Sequence, residues 1–158
     1  MYGVNDETGE RVELAKLHQD ENRVWVPLSK IPEHTQHAFV AIEDKRFYTH
    51  NGVDIKRTIN AFLGYVLPVG DGSGGSTITQ QLVKNITKDD EVSALRKVVE
   101  ILRAWDMEKQ FGKDKILESY LNTINLGDVN ESIQTAAQYY FSKDVGKLTI
   151  AESACIAA

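Results

Sequence analysis

Apolar residues recur at helical spacing along most of the chain after residue 30. Pro32 opens the first such segment, which places Ala38, Phe39 and Ile42 on one face because residues three and four apart are neighbours on a helix. Asp54 can cap the next helix, whose apolar residues follow at i, i+4, i+7, i+8 and i+11: Ile55, Ile59, Phe62, Leu63 and Val66. The pattern therefore predicts two amphipathic helices within residues 32–66.

A glycine-rich run at residues 70–76 (GDGSGGS) follows and predicts a mobile loop, because glycine at this density rarely holds regular structure. Thr77 and Gln80 come next with the spacing of a capping box, which predicts a helix carrying Ile78, Leu82 and Ile86. The clearest helical pattern lies at about residues 91–110, with an apolar stripe of five residues: Leu95, Val98, Val99, Leu102 and Trp105.

Arg96, Glu100 and Arg103 lie together on a different face of that helix, which we expect to end at Gly112. Asp114 can cap a further helix with four residues facing inward: Ile116, Leu117, Tyr120 and Leu121. After a predicted loop at residues 122–129, the helical spacing returns at Ile133, Ala136, Ala137 and Tyr140.

Thr149 and Glu152 form a last capping box near the end of the chain. At the other end, residues 23–28 (RVWVPL) favour extended structure after a turn-like stretch at residues 20–22. No segment repeats at a fixed period. The pattern as a whole predicts a single, mainly α-helical domain with a short extended N-terminal segment.

Composition narrows the class of protein. The 158 residues are 42% hydrophobic and 26% charged, as expected for a globular domain. Lys and Arg number 18 against 23 Asp and Glu, giving a net charge of −5, which argues against a nucleic-acid-binding face. The single Cys155 excludes an intramolecular disulfide and argues against a structural zinc site. No apolar run is long enough to cross a bilayer.

The two ends of the chain are unusual for a complete protein. The N-terminal residues 1–7 are polar and acidic, which does not fit a signal peptide. Residues 150–158 read as a helix without a C-terminal cap. We therefore expect the chain to be cut from a longer protein, with any anchor lying outside it.

Three groups of residues carry candidate chemistry. The first is Glu43 and Asp44 followed by Arg46, Phe47 and His50 at the exit of the first helix, a set that suits acid/base catalysis. The alternative is a solvated helix end with a surface ion pair. His34 and His37 lack the further ligands that a metal site would need.

The second group is the run 74–81 (GGSTITQQ), a flexible loop leading into a helix N-terminus, with Lys84 one turn further on. This arrangement suits an anion, but it lacks the spacing of a nucleotide-binding P-loop, and a plain linker is the alternative. The third group places Glu100 beside Arg96 and Lys97; a solvated i,i+4 ion pair is the alternative. The apolar run 61–69 (AFLGYVLPV) fits either a core segment or one that dips into lipid.

Four motifs in this order resemble those of the peptidoglycan glycosyltransferase domain, glycosyltransferase family 51. They are residues 43–54 (EDKRFYTHNGVD), 75–85 (GSTITQQLVKN), 96–100 (RKVVE) and 116–122 (ILESYLN). The resemblance runs from about residue 25 to residue 152. This family supplies the N-terminal domain of class A penicillin-binding proteins and also occurs as monofunctional transglycosylases.

The resemblance implies a lysozyme-like, two-lobed helical domain, here truncated at both ends, with a membrane-facing jaw segment and mobile loop at about residues 55–75. It implies polymerisation of lipid II. The C4 hydroxyl of an acceptor sugar attacks the anomeric carbon of the growing chain, and undecaprenyl pyrophosphate leaves with inversion to give a β-1,4 glycan.

Residue by residue, Glu43 matches the general base of the family and Glu100 its second catalytic carboxylate. Lys84 and Arg96 match cations near the pyrophosphate. The remaining matches fall on substrate-contacting positions or on the rest of the first motif: Ser76, Thr77, Gln80, Gln81, Asp44, Phe47 and His50. Residues 128–135 (DVNESIQT) depart from the turn that is common in the family.

The family implies no required cofactor, although a divalent cation such as Mg²⁺ on the pyrophosphate is chemically reasonable. The implied partners are lipid II, the growing glycan chain, the membrane surface, moenomycin-type inhibitors and, for the parent protein, other cell-wall synthesis proteins. No nucleic acid is expected. The implied location is the extracytoplasmic face of the bacterial cell membrane, with the parent anchored by a helix outside this chain.

Two other functions remain open from the residues alone. A lysozyme-like muramidase would share the fold and the paired carboxylates, but it would not need Lys84 and Arg96 beside the glycine-rich loop. A non-catalytic module that binds a lipid pyrophosphate or a membrane would need those cations but not the general base.

Overall fold

The computed structural model describes residues 2–4, 11–13, 24–66, 75–88, 93–127 and 132–158. Within these residues the chain forms seven α-helices: α1 (Glu33–Glu43), α2 (Ile55–Val66), α3 (Ile78–Thr87), α4 (Ala94–Gln110), α5 (Lys113–Leu121), α6 (Ile133–Phe141) and α7 (Ile150–Ala157). Short 3-10 helices lie at Leu28–Lys30 and Val145–Lys147. The prediction of a mainly α-helical domain is confirmed.

Two short strands near the N-terminus were not predicted from the sequence. Strands β1 (Tyr2–Val4) and β2 (Arg11–Glu13) pair antiparallel, with Gly3 opposite Val12. The predicted loop 70–76 and the turn-like residues 20–22 lie largely or wholly outside the described residues, as do residues 128–131 of the departing segment.

The predicted extended segment at residues 23–28 joins no strand among the described residues: from Val24 on it is neither helix nor strand, and it turns into a 3-10 helix at Leu28. Its backbone groups bond to side chains of α5 and of the residue that follows it. The amide of Val26 donates to Asn122 Oδ1 at 2.7 Å, and Asn122 Nδ2 donates back to the carbonyl of Val26 at 2.9 Å. A fully buried asparagine thus takes the place of a neighbouring strand.

Local capping signals position most helix starts. The predicted capping boxes of α3 and α7 are confirmed, and Asp54 caps α2 by accepting from the amide of Arg57 at 3.0 Å. Two starts were misplaced: α4 begins at Ala94 after the cap Ser93, and α5 begins at Lys113 after Gly112, so Asp114 lies in its first turn. Pro32 is likewise the N-cap residue of α1 and not its first helical residue.

Helix α3 lies at the centre of the packing. It packs against α4 on one side and α5 on the other, while α1 packs against α7. The larger apolar cluster contains the predicted inward residues of α3, α5 and α6, among them Ile78, Leu82, Ile116, Leu117, Tyr120, Leu121 and Ile133. A smaller cluster of Val53, Val83 and Ala104 lies between α3 and α4. The α3 backbone is therefore held from both sides.

The apolar stripe of α4 faces outward, contrary to what an amphipathic helix normally does. Leu95, Val98, Leu102 and Trp105 are between 40% and 74% exposed, whereas Glu100 is buried on the opposite side. Ile55 and Ile59 of α2 are exposed as well, and so are Ile42 and Ile86 from the predicted apolar faces of α1 and α3. The buried face of α4 instead carries Glu100, which accepts from Gln80 of α3.

Gly52 brings the loop after α1 close to α4. Its φ is +86°, and a Cβ at this position would lie 2.6 Å from the carbonyl oxygen of Ala104. The carbonyl of Gly52 accepts the hydroxyl of Thr77 at 2.6 Å. Only glycine fits this contact, because both the backbone conformation and the space exclude a side chain.

We expect Gly52→Ala to lower the free energy of unfolding by about 2–4 kcal/mol, through left-handed strain and the clash with Ala104. Urea unfolding followed by far-UV circular dichroism measures this loss. Gly112→Ala is the matched control, because a Cβ there meets nothing within 4 Å. Equal unfolding midpoints for the two variants would contradict the steric account.

Candidate active site

Glu43 is the last residue of α1, and its carboxylate is partly buried. Helix α1 ends there because Asp44 leaves the helical conformation, with φ −158°. Gln81 of α3 donates from Nε2 to Glu43 Oε2 at 2.7 Å, and Arg57 donates to the backbone carbonyl of Glu43. The end of α1 is therefore held by contacts from both α3 and α2.

A cavity of about 530 Å³ opens beside Glu43. Aromatic and apolar side chains make up much of its wall, together with one amide: Phe39, Tyr140, Phe141, Ile156 and Asn125. This volume lies in the range of small-molecule pockets, and aromatic walls with few polar groups suit the apolar face of a sugar ring. A carboxylate at the edge of such a cavity is placed to take a proton from a bound hydroxyl.

The loop after Glu43 is fixed by a buried carboxylate. Asp44 is fully buried; it accepts from His50 Nε2 at 2.8 Å and from the backbone amide of Ile78 at 3.1 Å. Phe47 is also fully buried, and the Nζ of Lys113 lies 4.5 Å from its ring centroid. Asp44 thus ties the first motif to the N-terminal end of α3.

A second set of contacts ties the same loop to α2. Arg46 bonds Asp54 through two nitrogens, at 2.6 and 2.8 Å. Burial alone would raise the pKa of Asp54, but the bonds from Arg46 and from the amide of Arg57 hold it below its ordinary value. Asp54 therefore stays ionised while it caps α2.

Thr77 and Gln80 at the start of α3 are fully buried, and their polar atoms are used inside the protein. The amide of Thr77 donates to Gln80 Oε1 at 3.1 Å, and Gln80 Nε2 donates to Glu100 Oε1 at 3.1 Å. A substrate-contacting role for these two residues stays a prediction, because both side chains are buried here; Asp44 and Phe47, expected to organise the site, are buried as well. All four side chains are packed inside the protein, where Asp44 and Gln80 bond other residues of the candidate site.

Glu100 is 5% exposed and lies among cations. Arg96 donates to its Oε2 at 2.9 Å, and the Nζ of Lys97 lies 2.5 Å from its Oε1. Lys97 also donates to the hydroxyl of Ser76 at 3.0 Å. From the sequence, Lys97 was noted beside Glu100 but was assigned no role in the site. Its spacing of three residues from Glu100 was the available signal.

The structure brings the two candidate carboxylates to adjacent residues of one helix turn. Gln80 bonds Glu100, and the next residue, Gln81, bonds Glu43. Lys84 lies exposed on the following turn of α3. Sequence-distant motifs thus converge on the first turns of α3.

Two contributors were missed from the sequence. Arg57 holds the end of α1, as described above. Tyr120 was expected only as an inward residue of α5, but its hydroxyl donates to Gln81 Oε1 at 3.2 Å. Burial raises the pKa of this hydroxyl, and the nearby carboxylates of Glu43 and Asp44 raise it further. A hydrogen-bonding role for a buried tyrosine hydroxyl is general, but its partner cannot be identified from spacing alone.

No group of three or more His, Cys, Asp and Glu residues in the described part of the chain is arranged to hold a metal ion. His34 bonds the carbonyl of Leu148 at 2.9 Å. Within the same part of the chain, no helix is long and apolar enough to cross a membrane.

We expect Asp44→Asn to lower the free energy of unfolding by about 2–4 kcal/mol, because it removes a buried charge that satisfies two donors. Denaturant unfolding measures the loss. Asp106→Asn is the control: this carboxylate bonds Gln110 on the exposed face of α4, and its change should stay within about 0.5 kcal/mol. A neutral Asp44→Asn result would mean that the loop is held by other contacts.

The sequence matches the transglycosylase family over residues 10–158. It is 44% identical over 155 residues to penicillin-binding protein 1F of Bacillus subtilis (strain 168), covering 98% of this chain and 21% of that protein. It is 45% identical over 138 residues to penicillin-binding protein 1A of Clostridium perfringens (strain 13 / Type A), covering 85% and 20%.

Penicillin-binding protein 1A of Rickettsia bellii (strain RML369-C) is 46% identical over 148 residues, which cover 92% of this chain and 19% of that protein. The chain thus spans about one fifth of the length of these relatives. The family match extends over all four motifs and over both carboxylates held by the glutamines of α3. The chain belongs to the transglycosylase family.

Proposed function

We propose that this transglycosylase domain polymerises lipid II into β-1,4-linked glycan strands, with Glu43 as the general base and with release of undecaprenyl pyrophosphate. One observation carries the proposal: adjacent glutamines of α3 hold Glu43 beside a sugar-sized cavity and Glu100 within a cluster of cations. This arrangement supplies one site for an acceptor sugar and another for an anionic leaving group.

On the acceptor side, the C4 hydroxyl must lose its proton as its oxygen attacks the anomeric carbon. Glu43 Oε2 already accepts from Gln81, so Oε1 is the oxygen that keeps both lone pairs clear of Gln81 for this proton. The bond from the anomeric carbon to the pyrophosphate oxygen breaks on the opposite face of the sugar. Attack and departure from opposite faces give inversion at that carbon.

On the leaving-group side, the pyrophosphate departs as an anion that is stabilised by charge rather than by a strong acid. Arg96 and Lys97 flank Glu100, so this triad carries a net charge of +1. Ser76, whose hydroxyl accepts from Lys97, lies beside it and adds a further hydrogen-bonding group for the anion. Lys84, one turn along α3, adds a cation at the exposed edge.

No cofactor is needed in this scheme, because the activated sugar brings its own leaving group. A divalent cation such as Mg²⁺ would assist by pairing with the pyrophosphate oxygens. Moenomycin-type inhibitors, which carry a phosphate, would compete for the same cations. The growing glycan chain and, for the parent protein, other cell-wall synthesis proteins complete the proposed partners.

We further propose that the exposed faces of α2 and α4 rest on the membrane, at the extracytoplasmic face where a lipid-linked substrate is presented. Six large apolar side chains are exposed there: Ile55, Ile59, Leu95, Val98, Leu102 and Trp105. A partly exposed tryptophan beside exposed lysines such as Lys56 and Lys109 fits the boundary between lipid tails and anionic headgroups.

We expect Glu43→Gln to reduce polymerisation of labelled lipid II by at least about 100-fold, because the amide cannot accept the proton. Gel electrophoresis of the glycan products, with moenomycin as the reference inhibitor, measures the reaction. Glu33→Gln is the matched control, since Glu33 lies exposed in the first turn of the same helix.

Near-normal activity of Glu43→Gln would exclude Glu43 as the base. Release of muropeptides from polymeric peptidoglycan, without polymerisation of lipid II, would favour a hydrolase. Binding of lipid II without turnover would favour a non-catalytic module.

We expect the double variant Leu95→Asn, Leu102→Asn to bind anionic phospholipid vesicles about tenfold more weakly, because less apolar surface enters the lipid. Co-sedimentation with vesicles measures the binding. Ile150→Asn is the control, since this isoleucine of α7 is as exposed as Leu95 but lies on another helix. Equal losses in both variants would indicate non-specific adsorption rather than a defined face.

A further inference from the structure

Three side chains from three helices form a chain of hydrogen bonds that ends at the proposed base. The hydroxyl of Tyr120 on α5 donates to Gln81 Oε1 at 3.2 Å. The Nε2 of Gln81 on α3 donates to Glu43 Oε2 at 2.7 Å. We propose that Tyr120 is a positioning residue for Glu43 and that it acts through the orientation of the Gln81 amide.

The amide of glutamine has two ends, and only one of them can face a carboxylate favourably. With the observed orientation, the NH₂ group meets Glu43 and the oxygen meets Tyr120. With the opposite orientation, the amide oxygen would lie beside the carboxylate oxygen of Glu43, and two acceptors would oppose each other. The hydroxyl of Tyr120 stabilises the first orientation, because it donates a hydrogen bond to the amide oxygen.

The side chain of Tyr120 is packed in the core, and its hydroxyl stays protonated. Its ring is fully buried and contacts Phe39 edge-on, with ring centroids 6.4 Å apart. The shifted pKa described above keeps the hydroxyl protonated across the physiological range, so it remains a donor. The packing of the core therefore fixes the position of the Tyr120 hydroxyl. Through its two hydrogen bonds, Gln81 links this fixed hydroxyl to the partly buried carboxylate of Glu43.

For the proposed reaction, the consequence is that the two carboxylate oxygens of Glu43 are no longer equivalent. One lone pair of Glu43 Oε2 accepts from Gln81, so the bond favours Oε1 as the oxygen that takes the proton of the acceptor hydroxyl. If Gln81 turned over, the carboxylate would lose this restraint and sample other rotamers. Proton transfer depends steeply on such geometry, whereas binding of the substrate through its other groups does not.

The test is a double-mutant cycle on Tyr120 and Gln81 in lipid II polymerisation, and it rests on the proposed function. Tyr120→Phe removes only the hydroxyl. We expect it to lower kcat about fivefold, the effect of one hydrogen bond, with KM changed less than twofold. In the background of Gln81→Leu, the same Tyr120→Phe change should alter kcat less than twofold, because its route to Glu43 is already cut.

Tyr48→Phe is the matched control. Tyr48 is exposed, and its ring packs edge-on against Phe47 with centroids 5.0 Å apart, so its hydroxyl is removed near the same loop without touching Gln81. Its kcat should equal that of the wild type. Thermal unfolding of every variant shows whether a loss of kcat reflects a loss of folded protein.

The proposal is overturned if Tyr120→Phe keeps the kcat of the wild type, or if its loss remains undiminished in the Gln81→Leu background. A lower unfolding temperature with unchanged kcat also overturns it, since the hydroxyl would then be purely structural. These results differ from a failure of the proposed function. In that case the wild-type chain itself does not polymerise lipid II, and the positioning role of Tyr120 is overturned together with the function.

Discussion

The first turn of α3 is the constraint on which the site depends. Neighbouring residues of a helix project about 100° apart, so the side chains of Gln80 and Gln81 diverge and reach different partners. Gln80 holds Glu100 and Gln81 holds Glu43, so both carboxylates are attached to a single backbone segment. The buried carboxylate of Asp44 accepts from the amide of Ile78 and ties this turn to the first motif. The positions of the two candidate carboxylates are thereby tied to one backbone segment through the side chains of two adjacent residues.

The two carboxylates differ in their hydrogen-bond donors, and on the proposed function this difference divides the chemistry between them. Glu43 receives its bond from the neutral amide of Gln81, whereas Glu100 is paired with Arg96 and Lys97. A carboxylate with a neutral donor can take a proton without breaking an ion pair. A carboxylate between two cations instead orders those cations, and the excess positive charge remains for an anion. The local charge of this cluster matters more for a pyrophosphate than the net charge of −5 on the whole chain.

Signals that act within one turn were predictable from the sequence, and contacts between distant segments were not. The capping boxes at Thr77 and Thr149 need only residues three apart, and both are present. The direction in which α4 faces depends on what packs against it, so its exposed stripe contradicted the usual rule. The link from Tyr120 to Gln81 spans 39 residues, and no pattern within either helix indicates it. The four ordered motifs pointed to the family, but the burial of Thr77 and Gln80 changes how two of their residues serve the site.

The inverted polarity of α4 fits the lipid-linked substrate of the proposed function. Arg96 and Glu100 lie four residues apart on the face toward α3, while Leu95, Val98 and Leu102 lie on the face toward solvent. One helix therefore carries cations on its face toward α3 and an apolar stripe on its outer face, separated by little more than its own diameter of about 10 Å. On the proposed function, a pyrophosphate at the level of the lipid headgroups meets the cations when the stripe enters the lipid. A conventional helix with its apolar face in the core would turn those cations away from α3. The exposed apolar stripe and the buried charges therefore both result from the same orientation of α4.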